Sequence, residues 1–314
     1  LSAREPEAPA WPPRFSIVVT FYNQRDFIKD ALDSALALRN AGLEIIAVDD
    51  ASTDGSPGIL KQYQDSIQVV CLENNQGACA ARNRGASLAT GDYLVFLDGD
   101  DAFLPWALDV YARIVQAKKP KMILSTMYWF EGALSAVPPG ATPLEITMVD
   151  YSDYLRRDRP FGNSASALVI ARKSFEDVHG WQTDFFPLED QDLALRLGVA
   201  GRTIQILGPP TVLHRAHGSY TVKNALACIS AVDDLHRKER QGVYPGGAGR
   251  RLERRALIGG VAIHWTRRAA KSGMYGNAFT LLARGWPMIL ASVSRRVAVV
   301  LKGRQPSENI AMKT

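Results

Sequence analysis

Two periods of apolar positions alternate along the first hundred residues. FSIVVT (Phe15–Thr20), EIIAV (Glu44–Val48), VVCL (Val69–Leu72) and YLVFL (Tyr93–Leu97) are short, β-branched and apolar nearly throughout, which predicts buried strands. Between the first two, FIKDALDSALAL puts Phe27, Ala31, Leu32, Ala35 and Leu38 on one helical stripe. GACAARNRGASLA (Gly77–Ala89) reads as a helix of small residues, and Pro105 opens another, WALDVYARIVQ. Strands that are apolar on both faces and joined by helices imply an α/β fold, with a parallel sheet covered on both sides.

Regularity falls after Lys121. MILSTM predicts a strand, followed by a Pro/Gly-rich stretch (Val137–Pro143) and a polar segment around Tyr151–Arg159. ASALVIAR returns to strand character, LEDQDLALRLGVA (Leu188–Ala200) is helical, and TIQIL predicts a last short strand. From Val222 onward the pattern is helical, with a glycine-containing turn near Gly246–Gly249.

With 314 residues, 46% of them hydrophobic, the chain can build a sizeable core. Three cysteines without a CxxC spacing point to a reducing, cytoplasmic compartment rather than a disulfide framework. Residues 1–13 carry proline and charge but no apolar run, as expected of a flexible arm. No stretch has the 18 consecutive apolar residues of a membrane span. The net charge of +5 hides a segregation: Arg250–Arg304 holds twelve Lys/Arg and one acid, Glu253, leaving the rest of the chain acidic. That asymmetry predicts an anionic partner for the C-terminal region. WPMILASVSRRVAVVLKGR (Trp286–Arg304) could lie in an anionic membrane interface, or pack on the core with its arginines in water. Nucleic acid is disfavoured, because the basic segment has neither a recognisable module nor an aromatic stacking platform.

Chemistry concentrates where strands end. The second strand runs into Asp49–Asp50 and the fourth into Asp98, Gly99, Asp100 and Asp101. Ligands of doubly wound sheets bind beyond the carboxyl ends of the strands. Clustered carboxylates there repel one another unless a cation sits among them. A DxD turn, with Gly99 expected to permit the bend, offers oxygen ligands suited to Mg²⁺ or Mn²⁺ shared with a diphosphate. The two common phosphate-binding glycine loops are missing, which argues against a P-loop or NAD enzyme.

The run SIVVTFYN, EIIAVDDASTDGS, NNQGACAARNRGASLATGDYLVFLDGDD resembles the nucleotide-binding half of family 2 glycosyltransferases of the GT-A fold, across about residues 14–120. A weaker likeness continues through LEDQDLALRL and HRAHGSYT. The resemblance implies a Rossmann-like, mostly parallel sheet flanked by helices. It also implies a catalytic domain over 14–221, with a nucleotide-sugar half (14–120) and an acceptor half (121–221), and a helical basic extension over 222–314. Thr20, Tyr22 and Asn23 then meet the nucleobase, Asp49 and Asp50 bind it, and Arg82 lies near the nucleotide. Asp98, Gly99 and Asp100 contact ribose and metal, Asp101 can share the metal, Asp190 matches the general base, and His217 matches a histidine near metal or diphosphate. Glu189 and Asp192 read equally as the acidic first turn of a helix.

The implied activity is inverting transfer of one sugar from a nucleotide-diphosphate sugar, a UDP-sugar, to a hydroxyl of a glycan, lipid-linked or other acceptor, assisted by Mn²⁺ or Mg²⁺. The QxxRW motif of processive members is not found, which favours single transfers. The alternatives are a non-catalytic nucleotide-sugar or glycan-binding protein of the same fold, and a sugar-1-phosphate nucleotidyltransferase. TFYNQRD stands where the latter carries a glycine-rich loop.

Overall fold

The computed structural model describes residues 13–38, 43–134, 143–161, 164–216 and 225–312. Residues 1–12 of the expected arm, and His217, lie outside them. The strands anticipated from apolar runs form β1 (Phe15–Phe21), β2 (Leu43–Asp49), β3 (Gln68–Cys71) and β4 (Tyr93–Asp98), all parallel. Between them run α1 (Ile28–Ala37), the short α2 (Ser56–Leu60) and α3 (Ala78–Leu88), and α4 (Ala107–Lys118) follows.

Alternation within these strands feeds two cores. Ile17, Val19, Ile45, Ala47, Val95 and Leu97 join one cluster with residues of α1 and α4. Val18, Ile46, Val48, Leu94 and Phe96 point the other way, into a cluster with Cys79 and Ala81 of α3. The small residues of α3 have a steric reason: a Cβ on Gly85 would overlap the Val18 side chain, so the helix lies directly on β1.

The second half departs from the expected pattern. MILSTM splits into β6 (Met122–Leu124), which stays in the main sheet, and β7 (Met127–Glu131), which leaves it. β7 joins β5 (Ala102–Phe103) and β11 (Val212–Ala216) in a three-stranded sheet. The main sheet has nine strands in the order β12-β8-β10-β6-β9-β4-β1-β2-β3, counting β8 (Glu145–Tyr151), β9 (Leu168–Ala171), β10 (Thr203–Gly208) and β12 (Glu308–Ala311). β9 is antiparallel to both β4 and β6, and β8 and β12 are antiparallel at the far edge, so the sheet is mixed. α5 (Arg172–Asp177) and α6 (Glu189–Arg196) cover the same face as α3, contributing Phe175, Leu193, Ala194 and Leu195 to its core.

The C-terminal region is helical, as its pattern predicted, with α7 (Ala225–Arg240), α8 (Arg251–Lys271) and α9 (Tyr275–Lys302). It is not peripheral to the sheet. Leu235, Tyr244, Ile258 and Met288 belong to the same core as Val18 and Phe96, and β12 hydrogen-bonds to β8. α8 and α9 form an antiparallel hairpin whose closest approach is at Gly259, where an added Cβ would overlap the Met288 backbone carbonyl. Backbone cannot yield as a flexible side chain can. Gly259→Ala should therefore cost about 1–3 kcal/mol by overpacking. Urea titration would show this as a lower midpoint, whereas an unchanged midpoint would mean the helices do not meet there.

Candidate active site

The parallel register places the strand ends side by side. Thr20 lies opposite Val48 on one side and Asp98 on the other, and Phe21 lies opposite Asp49. Backbone bonds continue the alignment past the strands, from Asp50 N–H to the Phe21 carbonyl (3.0 Å) and from Gly99 N–H to the Thr20 carbonyl (2.9 Å). Thr20, Tyr22, Asn23, Asp50, Arg82, Asp98, Asp100 and Asp190 thereby border one cleft of about 1730 Å³.

Several acids in this cleft are already engaged by the protein. Asp50 accepts the backbone N–H groups of Gln76 and Gly77, each at 2.8 Å, and so pins the loop before α3. Asp49 turns away from the cleft and accepts Ser52 N–H at 3.0 Å. Asn23, in the left-handed region that asparagine tolerates, accepts Thr53 N–H through Oδ1 and donates its own N–H to Ser52 Oγ. Tyr22 is exposed on the cleft wall.

The DxDD turn separates into three environments. Asp98 Oδ1 accepts Arg82 at 2.6 Å, while its N–H donates to Ser166 Oγ. Asp100 is half-buried on the cleft wall. Asp101, expected to share a metal, is fully buried, and its carboxylate oxygens accept Ser166 Oγ–H (2.7 Å) and Arg215 N–H (3.1 Å) and meet His214 Nδ1 (3.0 Å). Its lone pairs are spent inside the protein, so it is a scaffold group. Gly99, expected to permit a bend, has no left-handed φ. It is required because a Cβ would overlap Phe21 and Gln24.

Arg82, anticipated near the nucleotide, borders the cleft and is buried between two acids. It donates to Asp98 at 2.6 Å and to Glu189 at 3.0 Å, and its guanidinium packs 4.9 Å from the Trp181 ring centroid. Glu189 is thus part of the site, a role that its place in an acidic helix turn did not reveal. Asp192 is structural: fully buried, it holds Arg196, Lys238 and Tyr244.

Asp190 borders the cleft beside that ion-paired group. Burial, and after it the neighbouring Glu189 carboxylate, raises its pKa above the ordinary aspartate range. Glu189 is raised too, burial outweighing the opposing pull of Arg82. Burial lowers the pKa of His214, which also borders the cleft, but Asp101 together with Asp98 and Asp100 outweighs it and leaves the imidazole raised.

Among the described residues no group of three or more His, Cys, Asp or Glu could enclose a metal ion. The half-buried Asp98 and Asp100 are hard oxygen donors at one strand end, and Mg²⁺ is typically held by one or two carboxylates plus substrate phosphates. The residues therefore fit a cation completed by a diphosphate, not one caged by protein alone.

Comparison with known proteins matches residues 16–175 to glycosyl transferase family 2. The chain is 46% identical over 138 residues to the putative teichuronic acid biosynthesis glycosyltransferase TuaG of Bacillus subtilis, a match covering 43% of this chain and 52% of TuaG. It thus spans about half of that relative's length. It is 30% identical over 193 residues to the UDP-Glc:alpha-D-GlcNAc-diphosphoundecaprenol beta-1,3-glucosyltransferase WfaP of Escherichia coli, covering 60% of this chain and 71% of WfaP. In fold it is similar to S. aureus TarS 1-349, with a TM-score of 0.62 at 14% identity over 93% of this chain and 92% of that one. The architecture is the GT-A fold.

Removing the cation from the Asp98–Arg82–Glu189 bridge would leave a buried and a half-buried acid without a counter-charge. Arg82→Met should lose about 3–5 kcal/mol in chemical denaturation. Combining it with Glu189→Gln should recover part of that loss; a purely additive double variant would show the pair is not coupled.

Proposed function

The chain belongs to glycosyl transferase family 2, and on that premise we propose that it transfers a single sugar, with inversion, from a UDP-sugar to an acceptor hydroxyl in polysaccharide or glycoconjugate assembly. The observation that carries this reading is one cleft bordered by the acidic end of β4 and by Asp190, a carboxyl group made unusually basic by its surroundings. UDP-sugar use and a glycan or lipid-linked acceptor are supported by the names of the relatives WfaP and TuaG. Single transfers are supported by the missing QxxRW motif.

Tyr22 stacks on the base and Asp50, fixed by the loop before α3, bonds its edge. Thr20 and Asn23 border the base pocket. Asp98, held in one orientation by Arg82, accepts from the ribose. A divalent cation, Mn²⁺ or Mg²⁺, when bound by Asp100 with Asp98 beside it, supplies Lewis-acid stabilisation of charge on the departing diphosphate. Asp190 takes the proton of the acceptor hydroxyl as that oxygen attacks the anomeric carbon from the face opposite the leaving group. A raised pKa makes it a stronger base than an ordinary aspartate, and general-base assistance is typically worth about 10²–10⁴-fold.

Asp190→Asn should therefore lower turnover by about 10²–10⁴-fold with little change in donor affinity. The wild-type rate should rise with pH through an apparent pKa above the usual carboxylate range, because only the ionised base works; the residual rate of the variant should lack that limb. A raised carboxylate pKa also means folded stability falls as pH rises past the ordinary aspartate value. The Asn variant should accordingly be at least as stable as wild type near neutrality, and a fully active Asp190→Asn enzyme would remove this residue as base. Asp100→Ala should abolish the Mn²⁺-dependent part of nucleotide-sugar binding, read by thermal shift across a donor panel. Saturable donor binding with no turnover on any acceptor would instead support the non-catalytic reading.

No helix among the described residues is long and apolar enough to cross a membrane. α9 nonetheless presents Phe279, Leu282, Trp286, Leu290, Val293 and Val297 to solvent at helical spacing. With the surrounding basic charge, this stripe supports peripheral attachment to the cytoplasmic face of an anionic membrane. Vesicles containing anionic lipid should sediment the protein at low salt and release it at high salt. Trp286→Ser with Leu290→Ser should weaken that binding without affecting donor hydrolysis. Failure to bind at low salt would end this assignment, and a salt-insensitive dimer that loses its partner in the same variant would assign the stripe to a second copy.

A further inference from the structure

The cleft has a wall that the transfer chemistry leaves unused. α8 and α9 line it with Arg268, Arg295 and Arg296, the segment after α9 adds Arg304, and the segment after β8 adds Arg157 and Arg159. The acid on this wall, Asp158, is taken by Arg159 at 3.1 Å, by Tyr151 Oη–H at 2.7 Å and by Gln305 N–H at 2.6 Å. Among the described residues the other five arginines form no ion pair.

Two of them are held where an uncompensated cation is costly. Arg157 is only 8% exposed. It donates to the Arg159 carbonyl (2.6 Å) and to Tyr154 Oη (3.3 Å), and its Nε has no partner among the described residues. Arg295 donates to the backbone carbonyls of Leu155 (2.7 Å) and Glu253 (3.4 Å). Every acceptor they reach is neutral. Burial, and after it the positive charge of Arg157, holds the Arg295 guanidinium below its ordinary pKa. A buried and a half-buried like charge with neutral acceptors are destabilising unless an anion joins them. Guanidinium groups match phosphate oxygens with paired N–H donors. Beside them Leu257, Val261, Trp265, Val299 and Val300 also line the cleft, giving an apolar path next to the charges.

We propose that Arg157 and Arg295 form a phosphate subsite that holds a phosphoryl group carried by the acceptor, with Arg296 and Arg304 as its outer rim. The donor diphosphate is served at the other wall by Asp98 and Asp100, so this subsite is additional to it. The assignment deepens the transferase reading and rests on it for taking the ligand to be the acceptor.

Calorimetric titration of the full chain with farnesyl phosphate, in saturating UDP and Mg²⁺ to occupy the donor wall, tests it. Farnesol and inorganic phosphate serve as separate arms. Farnesyl phosphate should bind saturably, and Arg157→Gln with Arg295→Gln should weaken it at least tenfold while UDP affinity stays within twofold. If the buried Arg157 variant does not fold, Arg295→Gln with Arg296→Gln should show the same selective loss. Farnesyl phosphate binding well above both controls would identify a lipid-linked phosphate. Inorganic phosphate competing at similar concentration would identify a soluble phosphoester. No phosphate-dependent binding, or binding that the arginine variants leave unchanged, would overturn the subsite. Wild type failing to bind UDP would count against the transferase reading instead, and the phosphate titration without UDP would still decide the subsite.

Discussion

The site is organised around one buried guanidinium. Arg82 leaves α3 and meets Asp98 at the end of β4 and Glu189 at the start of α6, sixteen and 107 residues away in sequence. The cation between them is the counter-charge for both carboxylates on that side of the cleft. It also joins the nucleotide-binding strands to the helix that carries Asp190. Trp181 beneath the guanidinium, itself packed against Phe96, excludes water from the bridge and strengthens it.

A second network does for the small sheet what Arg82 does for α6. Asp101 ties Ser166 and His214 to the end of β4, while Arg215 donates to the Asp100 carbonyl at 3.0 Å and to Asp30 at 2.7 Å. Consecutive acids in one turn therefore serve different ends. Asp98 is clamped by a cation, Asp100 borders the cleft, and Asp101 is consumed by structure. Separating the carboxylates into these surroundings relieves part of the like-charge repulsion expected of the sequence.

The C-terminal helices complete the cleft as well as the fold. Glycine contacts bring α8 against α9, Met288 and Ile258 enter the main core, and the opposite flanks supply the basic wall. α9 carries an apolar stripe on its outside and arginines on its cleft side.

The sequence by itself determined the first half of this protein. Apolar runs of period two, helices between them, and acids at the strand ends follow from local chemistry, and β1 to β4, α1, α3 and α4 form where those patterns lie. The family and its fold were legible from the same stretch. Tertiary structure decided the rest, because the deciding contacts join residues far apart. No local pattern distinguishes Asp101 from Asp100, or reveals that Glu189 faces Arg82, since each differs only in what the folded chain brings opposite it. Antiparallel β8 and β12 escaped for a related reason: their strand character comes from pairing across the sheet, and short segments such as ENIA carry little periodicity of their own. The basic segregation of Arg250–Arg304 was legible along the chain, but which of its arginines share a cleft wall with Arg157 was decided only by the packing of α8 and α9.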